Sequence, residues 1–255
     1  MKRVGVKTVY RAIKILETIG EQGSKSVSEL ARQLHFPKSS TFEILATLER
    51  EGILEKDHER STYRLGLKLF ELGSQAQGEL EIRRVAIPHM KSLNQQLDET
   101  VHLTILDKQE VLYIECFEST KRLRTYSVIG VRAPLYCTAV GKAILAYLDP
   151  KEIDEIIKAK GLPRFTANTL TTRQALLEDL KKTVERGYAV DKMEHEEGMC
   201  CVGAPIRNHT GKVFASMSVS GPSQRMTPAA IRETAKSLVA QTREISARLG
   251  YRGSL

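Results

Sequence analysis

The stretch that most constrains the fold is 26–54, which has the pattern of two short helices joined by a tight turn. Pro37 separates the two helices, because proline ends one helix and suits the first turn of the next. Ser26 or Ser28 can begin the first helix, since a serine oxygen there accepts a free backbone N–H. Apolar residues recur at helical spacing in both: Val27, Leu30, Ala31 and Leu34, then Phe42, Ile44, Leu45 and Leu48.

If the apolar face of the second helix packs inward, its N-terminal end presents a lysine and small polar side chains to solvent. A helix that reads the major groove of DNA needs this arrangement. Residues 53–65 then read as strand, polar turn and strand, which is a β-hairpin in the position of a wing. The sequence therefore predicts a winged helix-turn-helix that contacts DNA through Ser28, Lys38, Ser39, Ser40, Thr41, Arg60 and Arg64, the last two holding phosphates.

The net charge of +8 suits a nucleic-acid partner, and its local distribution is more telling. The basic residues that precede the first acidic residue, Glu17, are Lys2, Arg3, Lys7, Arg11 and Lys14. Each phosphate neutralised by such a segment releases counterions, so binding should weaken with salt. Lys2 and Arg3 fit a solvated tail equally well. We predict double-stranded operator DNA as a partner.

Composition restricts the cellular setting. No apolar run approaches the about 18 residues that a membrane helix needs, and the N-terminus has no uninterrupted apolar core of a secretion signal. The four cysteines include an adjacent pair, Cys200 and Cys201, but no CxxC. That spacing argues against a disulfide framework and a zinc ribbon. We expect a cytoplasmic protein without membrane contact.

Two further helices belong to the N-terminal part. The first, predicted over residues 8–21, should pack through Val9, Ala12, Ile13, Leu16 and Ile19. A linker helix follows the wing over 67–79. Its residues Leu67, Leu69, Phe70 and Leu72 are too apolar to remain uncovered. A second copy of the chain is the expected cover, so we predict a homodimer or homotetramer.

From residue 80 the pattern changes to a mixture of helices and strands. A helix over 80–97 contains Pro88, so a kink or break near Ile87 is expected. Strands are predicted over 100–106, 111–117, 123–129, 132–138, 188–190, 201–207 and 213–220, and helices over 138–148, 150–161, 172–186 and 227–249. The sequence predicts an α+β domain in which helices flank a mainly antiparallel sheet.

Several segments in order, TVHLTILD, VLYIE, APLYCTAVGKAILA, RGYAVDKMEHEEGMCCVGAPI and SMSVSGP, together with the winged N-terminus, resemble the IclR family of bacterial transcriptional regulators. LRTYSVIG, LYCTAVGK and EHEEGMCC are most similar to its regulators of pectin and hexuronate breakdown that sense 2-keto-3-deoxygluconate. The resemblance implies a DNA-binding domain (1–66), a linker helix (67–79) and a GAF-like effector-binding and oligomerisation domain (80–255). It also implies a repressor whose binding to DNA is controlled by a small organic acid.

The resemblance carries an effector site to Ala139, Val140, Asp191, Met199, Cys201, Ser218 and Ser220. The residues themselves suggest part of it. Thr138–Gly141 opens a helix whose free N–H groups can hold an anion, although a plain helix cap fits too. Ser216, Ser218 and Ser220 alternate along one strand face, which is either ligand-lined or solvated. Arg124 is a further candidate to pair a carboxylate, with a surface arginine as the alternative.

Two rival functions remain open. A metal-binding enzyme or sensor could use the cluster Asp191, Glu194, His195, Glu196, Glu197, Cys200 and Cys201. His195 has no second histidine four residues on, however, so the zinc-protease helix motif is absent, and we predict neither a metal nor another cofactor nor catalysis. The other rival is a ligand sensor whose wing contacts protein instead of DNA.

Overall fold

The computed structural model describes residues 5–78, 80–125 and 129–253. It divides into two compact units, Met1–Glu79 and Leu80–Leu255. Lys2 and Arg3 of the predicted cationic segment lie outside the described residues, as do 126–128 of the predicted strand 123–129. Within the described ranges, no helix combines the length and apolar character needed to cross a membrane.

The first unit has the predicted winged helix-turn-helix order. Its helices are α1 (Lys7–Gln22), α2 (Val27–Gln33), α3 (Lys38–Arg50) and α4 (Leu67–Gly78), and its strands are β1 (Lys25–Ser26), β2 (Leu54–Asp57) and β3 (Thr62–Leu65). The strands form an antiparallel sheet in the order β1-β3-β2. β1 was not predicted; it adds a short third strand to the wing. The buried core of this unit is Ile15, Ile19, Leu30, Ile44, Leu45, Leu54 and Tyr63.

The start of α2 is fixed by a capping box. The backbone N–H of Glu29 donates to Ser26 Oγ (3.3 Å), and the backbone N–H of Ser26 donates to Glu29 Oε2 (2.8 Å). Two otherwise unsatisfied donors are paired in this way. Of the two serines that could cap this helix, Ser26 is the cap, and Ser28 is exposed.

Two predicted packing faces were wrong in part. In α1, Ile15 and Ile19 are buried, whereas Val9 and Ile13 are exposed. In α3, Thr41 is fully buried and Phe42 is 53% exposed.

The hydroxyl of Thr41 donates to the carbonyl of Pro37 (3.0 Å). A satisfied threonine can therefore occupy the core, and the buried stripe of α3 begins one residue earlier than the apolar pattern suggests.

A helix, α4, is present over Leu67–Gly78, where the linker helix was predicted, and none of its residues is buried. Leu67 and Phe70 are about three-quarters exposed. Large apolar side chains in that state form an uncovered face on this helix.

The second unit is built around one sheet. Its strands are β4 (Thr100–Asp107), β5 (Glu110–Phe117), β6 (Arg132–Ala133), β7 (Ala189–Lys192), β8 (Met199–Arg207) and β9 (Val213–Pro222), and its helices are α5 (Glu81–Leu97), α6 (Ala139–Leu145), α7 (Pro150–Lys160), α8 (Arg173–Arg186) and α9 (Pro228–Arg248). The strand order is β6-β5-β4-β9-β8-β7 and every neighbouring pair is antiparallel. The predicted α+β architecture is confirmed.

Helices cover both faces of this sheet. One core cluster joins α5 and α9 to β4, β8 and β9, with Met90, Leu103 and Met217 fully buried in it. A second cluster joins α6, α7 and α8 and includes Ile144, Ile153 and Leu176. Side chains alternate along a strand, so one face of β8 and β9 packs in the first cluster and the opposite face contacts α6.

Several local predictions for this unit differ from the structure. α5 is one helix from Glu81 to Leu97 with Pro88 inside it, so the helix does not break near Ile87. Of the predicted strand 132–138, only Arg132–Ala133 pairs, and residues 123–125 are not in a strand. α6 ends at Leu145, short of the predicted 148.

Candidate DNA-binding and effector sites

The N-terminal end of α3 carries the residues predicted to read DNA. Lys38 and Ser39 are exposed there, and Ser28 is exposed on α2. Ser40 is half-buried, and its Oγ accepts a hydrogen bond from Arg11 Nη1 (3.0 Å). Arg11 thereby links α1 to the tip of α3. Its contact with Ser40 was not predicted, because the two residues are far apart in the sequence.

One predicted DNA contact is removed by the packing. Thr41 faces the core and has no exposed surface, so its side chain cannot contact a base edge. Phe42 takes the exposed position beside it. The exposed residues at the start of the helix are thus Lys38 and Ser39.

The wing presents its two arginines differently. Asp57 shapes the turn by accepting backbone N–H groups from Glu59 (3.0 Å) and Arg60 (3.1 Å), which leaves Arg60 exposed at the tip. In the described chain, no carboxylate lies within ion-pairing distance of Arg60. Arg64 lies in β3 and is paired with Glu55 at 2.7 Å. Arg60 is therefore the wing cation better able to meet a phosphate.

A cavity of about 230 Å³ lies in the second unit, between the start of α6 and the polar face of the sheet. Seven of the eight predicted effector residues line it: Ala139, Val140, Asp191, Met199, Cys201, Ser218 and Ser220. Thr138, at the helix start predicted to hold an anion, also lines it. The wall is completed by residues that were not predicted as effector contacts: His102, Tyr113, Thr125, Val131, Arg132, Ala133, His195 and Glu196. Residues from six strands and one helix thus meet at a single space.

The polar face of the cavity is held by strand register. β9 lies between β4 and β8, so that Ser218 pairs with His102 on one side and Gly203 on the other. Ser218 and Ser220 are almost fully buried. Ser220 Oγ lies 3.4 Å from Nδ1 of His102. If β4 had been predicted to pair with β9, the sequence would have identified His102 as a residue of the cavity wall.

Burial determines the charges of the titratable wall residues. Asp191 is 4% exposed, and burial raises its carboxyl pKa to about 7, although its Oδ1 accepts the backbone N–H of Glu194 (2.7 Å). Burial lowers the pKa of His102 to about 4, and it raises the pKa of the Cys201 thiol well above its usual range. Near neutral pH the wall therefore has a neutral imidazole, a neutral thiol and a carboxyl close to half ionised.

Comparison with known proteins identifies both units. Residues 8–58 match the IclR helix-turn-helix domain, and residues 74–247 match the domain described as bacterial transcriptional regulator IclR C-terminal. The chain belongs to the IclR family. It is a DNA-binding transcriptional regulator by that membership.

Individual relatives agree with this assignment over nearly the whole chain. The transcriptional regulator KdgR of Escherichia coli K12 is 36% identical over 246 residues, covering 96% of this chain and 94% of that protein. The crystal structure of the Thermotoga maritima IclR has a TM-score of 0.79 at 36% identity, covering 96% of this chain and 99% of that chain. An IclR homologue from Microbacterium hydrocarbonoxydans, complexed with 4-hydroxybenzoate, has a TM-score of 0.83 at 27% identity, covering 95% and 98%.

In this IclR-family chain the cationic wall residue is not the predicted one. Arg124 does not line the cavity; its Nε lies 3.0 Å from Glu118 Oε2 at the surface. Arg132 lines it instead. Arg132 Nη1 donates to the Asp107 carbonyl (2.9 Å), and Nη2 pairs with the Asp107 carboxylate. The guanidinium is thus oriented by a neighbour and keeps further N–H donors.

The start of α6 is fixed tightly against the sheet. A Cβ added to Gly203 would lie 2.4 Å from the Ala139 carbonyl oxygen, so only glycine permits this approach. Ser216 Oγ, which does not line the cavity, donates to the Val140 carbonyl (2.9 Å). These contacts hold Ala139 and Val140 at the cavity wall.

The residues of the alternative metal cluster have other contacts. Glu194 is buried and forms an ion pair with Lys142 of α6. Across the described ranges, no group of three or more histidine, cysteine, aspartate or glutamate side chains is arranged to hold a metal ion. The carboxylate of Glu194 is therefore committed to a buried lysine, and the comparisons favour the regulator over the metal-binding alternative.

Proposed function

We propose that this chain is a cytoplasmic repressor whose affinity for operator DNA is set by a small hydroxylated organic acid bound in the cavity. The proposal rests on one observation: the guanidinium of Arg132 lies with buried hydroxyl and carboxyl groups in the wall of the same cavity. An arginine beside hydrogen-bonding groups suits a ligand that has both a carboxylate and hydroxyls.

The wall suggests how such an acid is held. Arg132 and the backbone N–H groups at the start of α6 would receive its carboxylate, while Ser218, Ser220 and Asp191 would bond its hydroxyls. The buried hydroxyl of Thr125 has no hydrogen-bond partner among the described residues, so a ligand could satisfy it.

One relative supports an acid ligand, since the Microbacterium homologue is complexed with the aromatic acid 4-hydroxybenzoate. We infer a sugar acid such as 2-keto-3-deoxygluconate from the sequence resemblance to regulators that sense it. The hydroxyl-rich wall of the present cavity favours the sugar acid. Its volume, about 230 Å³, is below the range of about 300–1,000 Å³ common for drug-sized ligands, which points to a small molecule.

On the DNA side, Lys38 and Ser39 would enter the major groove, with Ser28 beside them and Arg60 on a phosphate. A second copy of the chain would cover the apolar face of α4, and a dimer or tetramer would read paired half-sites. The acid can change operator affinity only if it favours one arrangement of the assembled chain, and such coupling typically amounts to about 1–3 kcal/mol.

The test begins with genomic fragments selected on the purified protein, followed by titration of 2-keto-3-deoxygluconate and 4-hydroxybenzoate into the protein–DNA complex. We expect the sugar acid to change DNA affinity in the wild type and to have no effect on the double variant Ser218→Ala/Ser220→Ala, whose basal DNA affinity is unchanged. Ser237→Ala is the control, because this serine of α9 lies outside the cavity and its only hydrogen bond described is accepted from Gln96. Failure to retain any fragment would overturn the DNA role, and an unaltered response in the double variant would overturn the effector site.

A further inference from the structure

The second unit contains another cavity, of about 280 Å³, that shares no lining residue with the effector cavity. It lies where the C-terminal end of α8 meets the last turns of α9 and the end of β8. Arg186, Arg207 and Arg243 line it, one from each of these elements. Among the described residues of its wall, Glu185 alone is acidic.

The three arginines of this cavity form no ion pair with a carboxylate of the described residues. Arg186 Nε donates to the Tyr188 carbonyl (2.6 Å) and Arg207 Nη1 donates to the Gly211 carbonyl (2.9 Å). These are neutral backbone acceptors. Among the described residues, no carboxylate lies within ion-pairing distance of the three guanidinium groups. A concave site with an excess of one sign of charge concentrates ions of the opposite sign.

One of the three arginines is held in a defined orientation. The guanidinium of Arg207 lies over the ring of Tyr147 (4.5 Å to the centroid) and near that of Tyr251 (5.7 Å). Stacking fixes the plane of the group while using none of its N–H donors. A preorganised guanidinium loses less freedom when it binds a carboxylate or phosphate in bidentate fashion.

We propose that this cavity, named here the arginine pocket, binds a small dianionic metabolite, either a phosphate ester or a dicarboxylate. Three unneutralised cations match a ligand with two negative charges better than the single carboxylate expected at the effector cavity. The concave shape and the volume of about 280 Å³ favour a small molecule over an extended polyanion. This proposal does not depend on the identity of the effector, and it gives the regulator a second metabolite input.

The test is calorimetric titration of the full-length protein with glycerol 3-phosphate, succinate and inorganic phosphate, each at constant ionic strength in chloride. We expect saturable binding of at least one dianion per chain, weakened at least about tenfold in Arg186→Gln/Arg243→Gln. Binding of the phosphates alone identifies a phosphate site, and binding of succinate alone identifies a dicarboxylate site. If the double variant does not fold, Arg243→Gln alone serves, because Arg243 is exposed and makes no hydrogen bond among the described residues.

Two controls separate this site from others. Arg232→Gln removes the same charge from an exposed position of α9 outside the pocket and should leave affinity unchanged. Ser218→Ala/Ser220→Ala alters only the effector cavity and should also leave it unchanged. Absence of saturable binding by all three probes, equal weakening by Arg232→Gln, or loss of binding in the serine double variant would each overturn the proposal.

Discussion

The ammonium group of Lys142 lies 2.6 Å from Oε1 of Glu194, and the side chains of the two residues are 0% and 8% exposed. Asp179 Oδ2 lies 2.8 Å from the same nitrogen, which also donates to the Val190 carbonyl (2.7 Å). Burial raises the pKa of Glu194, and the lysine opposes that shift. Since Lys142 is on α6 and Glu194 follows β7, this network joins two walls of the effector cavity.

Lys142→Met should destabilise the second unit strongly. Removal of the ammonium leaves the carboxylates of Glu194 and Asp179 without their cation, and loss of one partner from a buried pair costs about 3–5 kcal/mol. Chemical denaturation of the full chain measures this loss. Lys160→Met is the control, because its pair with Glu110 is partly exposed and should contribute about 1 kcal/mol or less. Equal losses in the two variants would contradict the assigned role of the buried network.

Substitution of Ser26 should affect the stability of α2, whereas substitution of Ser28 should affect DNA binding. Ser26→Ala removes the capping oxygen of α2 and should cost about 1 kcal/mol, seen as roughly fivefold faster amide hydrogen exchange in that helix. Ser28→Ala changes an exposed side chain and should leave exchange unchanged while weakening operator binding. If Ser28→Ala destabilised α2 as much as Ser26→Ala, the assignment of the cap would be incorrect.

A phosphate contact by Arg60 should be visible in the salt dependence of DNA binding. Arg60→Ala should weaken binding to all DNA sequences similarly and reduce the slope of log affinity against log salt concentration by about one, as expected for one phosphate contact. Fluorescence anisotropy at several salt concentrations gives that slope. Arg50→Ala, at the opposite end of α3 and paired with Glu51, is the matched control. A slope equal to that of the wild type would exclude a phosphate contact by Arg60.

Helix ends were predictable where side chains determine them. Asp149 caps α7 at Pro150, and Gly161 ends it with a left-handed φ of 71°. The rotation of a helix about its axis was less predictable. In α3 the apolar pattern favoured Phe42 as a core residue, but Thr41 is buried there, because its hydroxyl is satisfied by a carbonyl of its own helix.

The candidate effector site was predicted only in part, because some wall residues depend on how distant segments pair. Family resemblance supplied the residues that line the cavity from α6, β8 and β9. His102 was missed because its place depends on strand order, which brings β4 next to β9 more than 100 positions along the chain. Arg132 was missed because its place depends on the pairing of the two-residue strand β6 with β5. Arg124 was chosen as the carboxylate partner by its type alone, and local pairing with Glu118 places it elsewhere.

Asp191 should make effector binding depend on pH. Its pKa of about 7 means that the carboxyl is mostly protonated at pH 6 and mostly ionised at pH 8. An ionised carboxylate in the wall repels an anionic ligand, so the wild type should bind the acid up to about tenfold more tightly at pH 6. His102 has a pKa of about 4 and stays neutral across this range. Titration calorimetry at the two pH values measures the ratio.

The same shift has a defined sign for stability. The folded pKa of Asp191 lies above its unfolded value of about 3.9, so the folded chain retains a proton that the unfolded chain has lost. Its contribution to the free energy of unfolding is therefore full below pH 4, declines as pH rises through about 7, and is lost above that. Asp191→Asn should remove both this decline and the pH dependence of binding. Asp154→Asn is the control, because that exposed carboxylate is paired with Arg173 and lies outside the cavity. If Asp191→Asn bound the acid with the same ratio between pH 6 and pH 8 as the wild type, a different group would be responsible for the pH dependence.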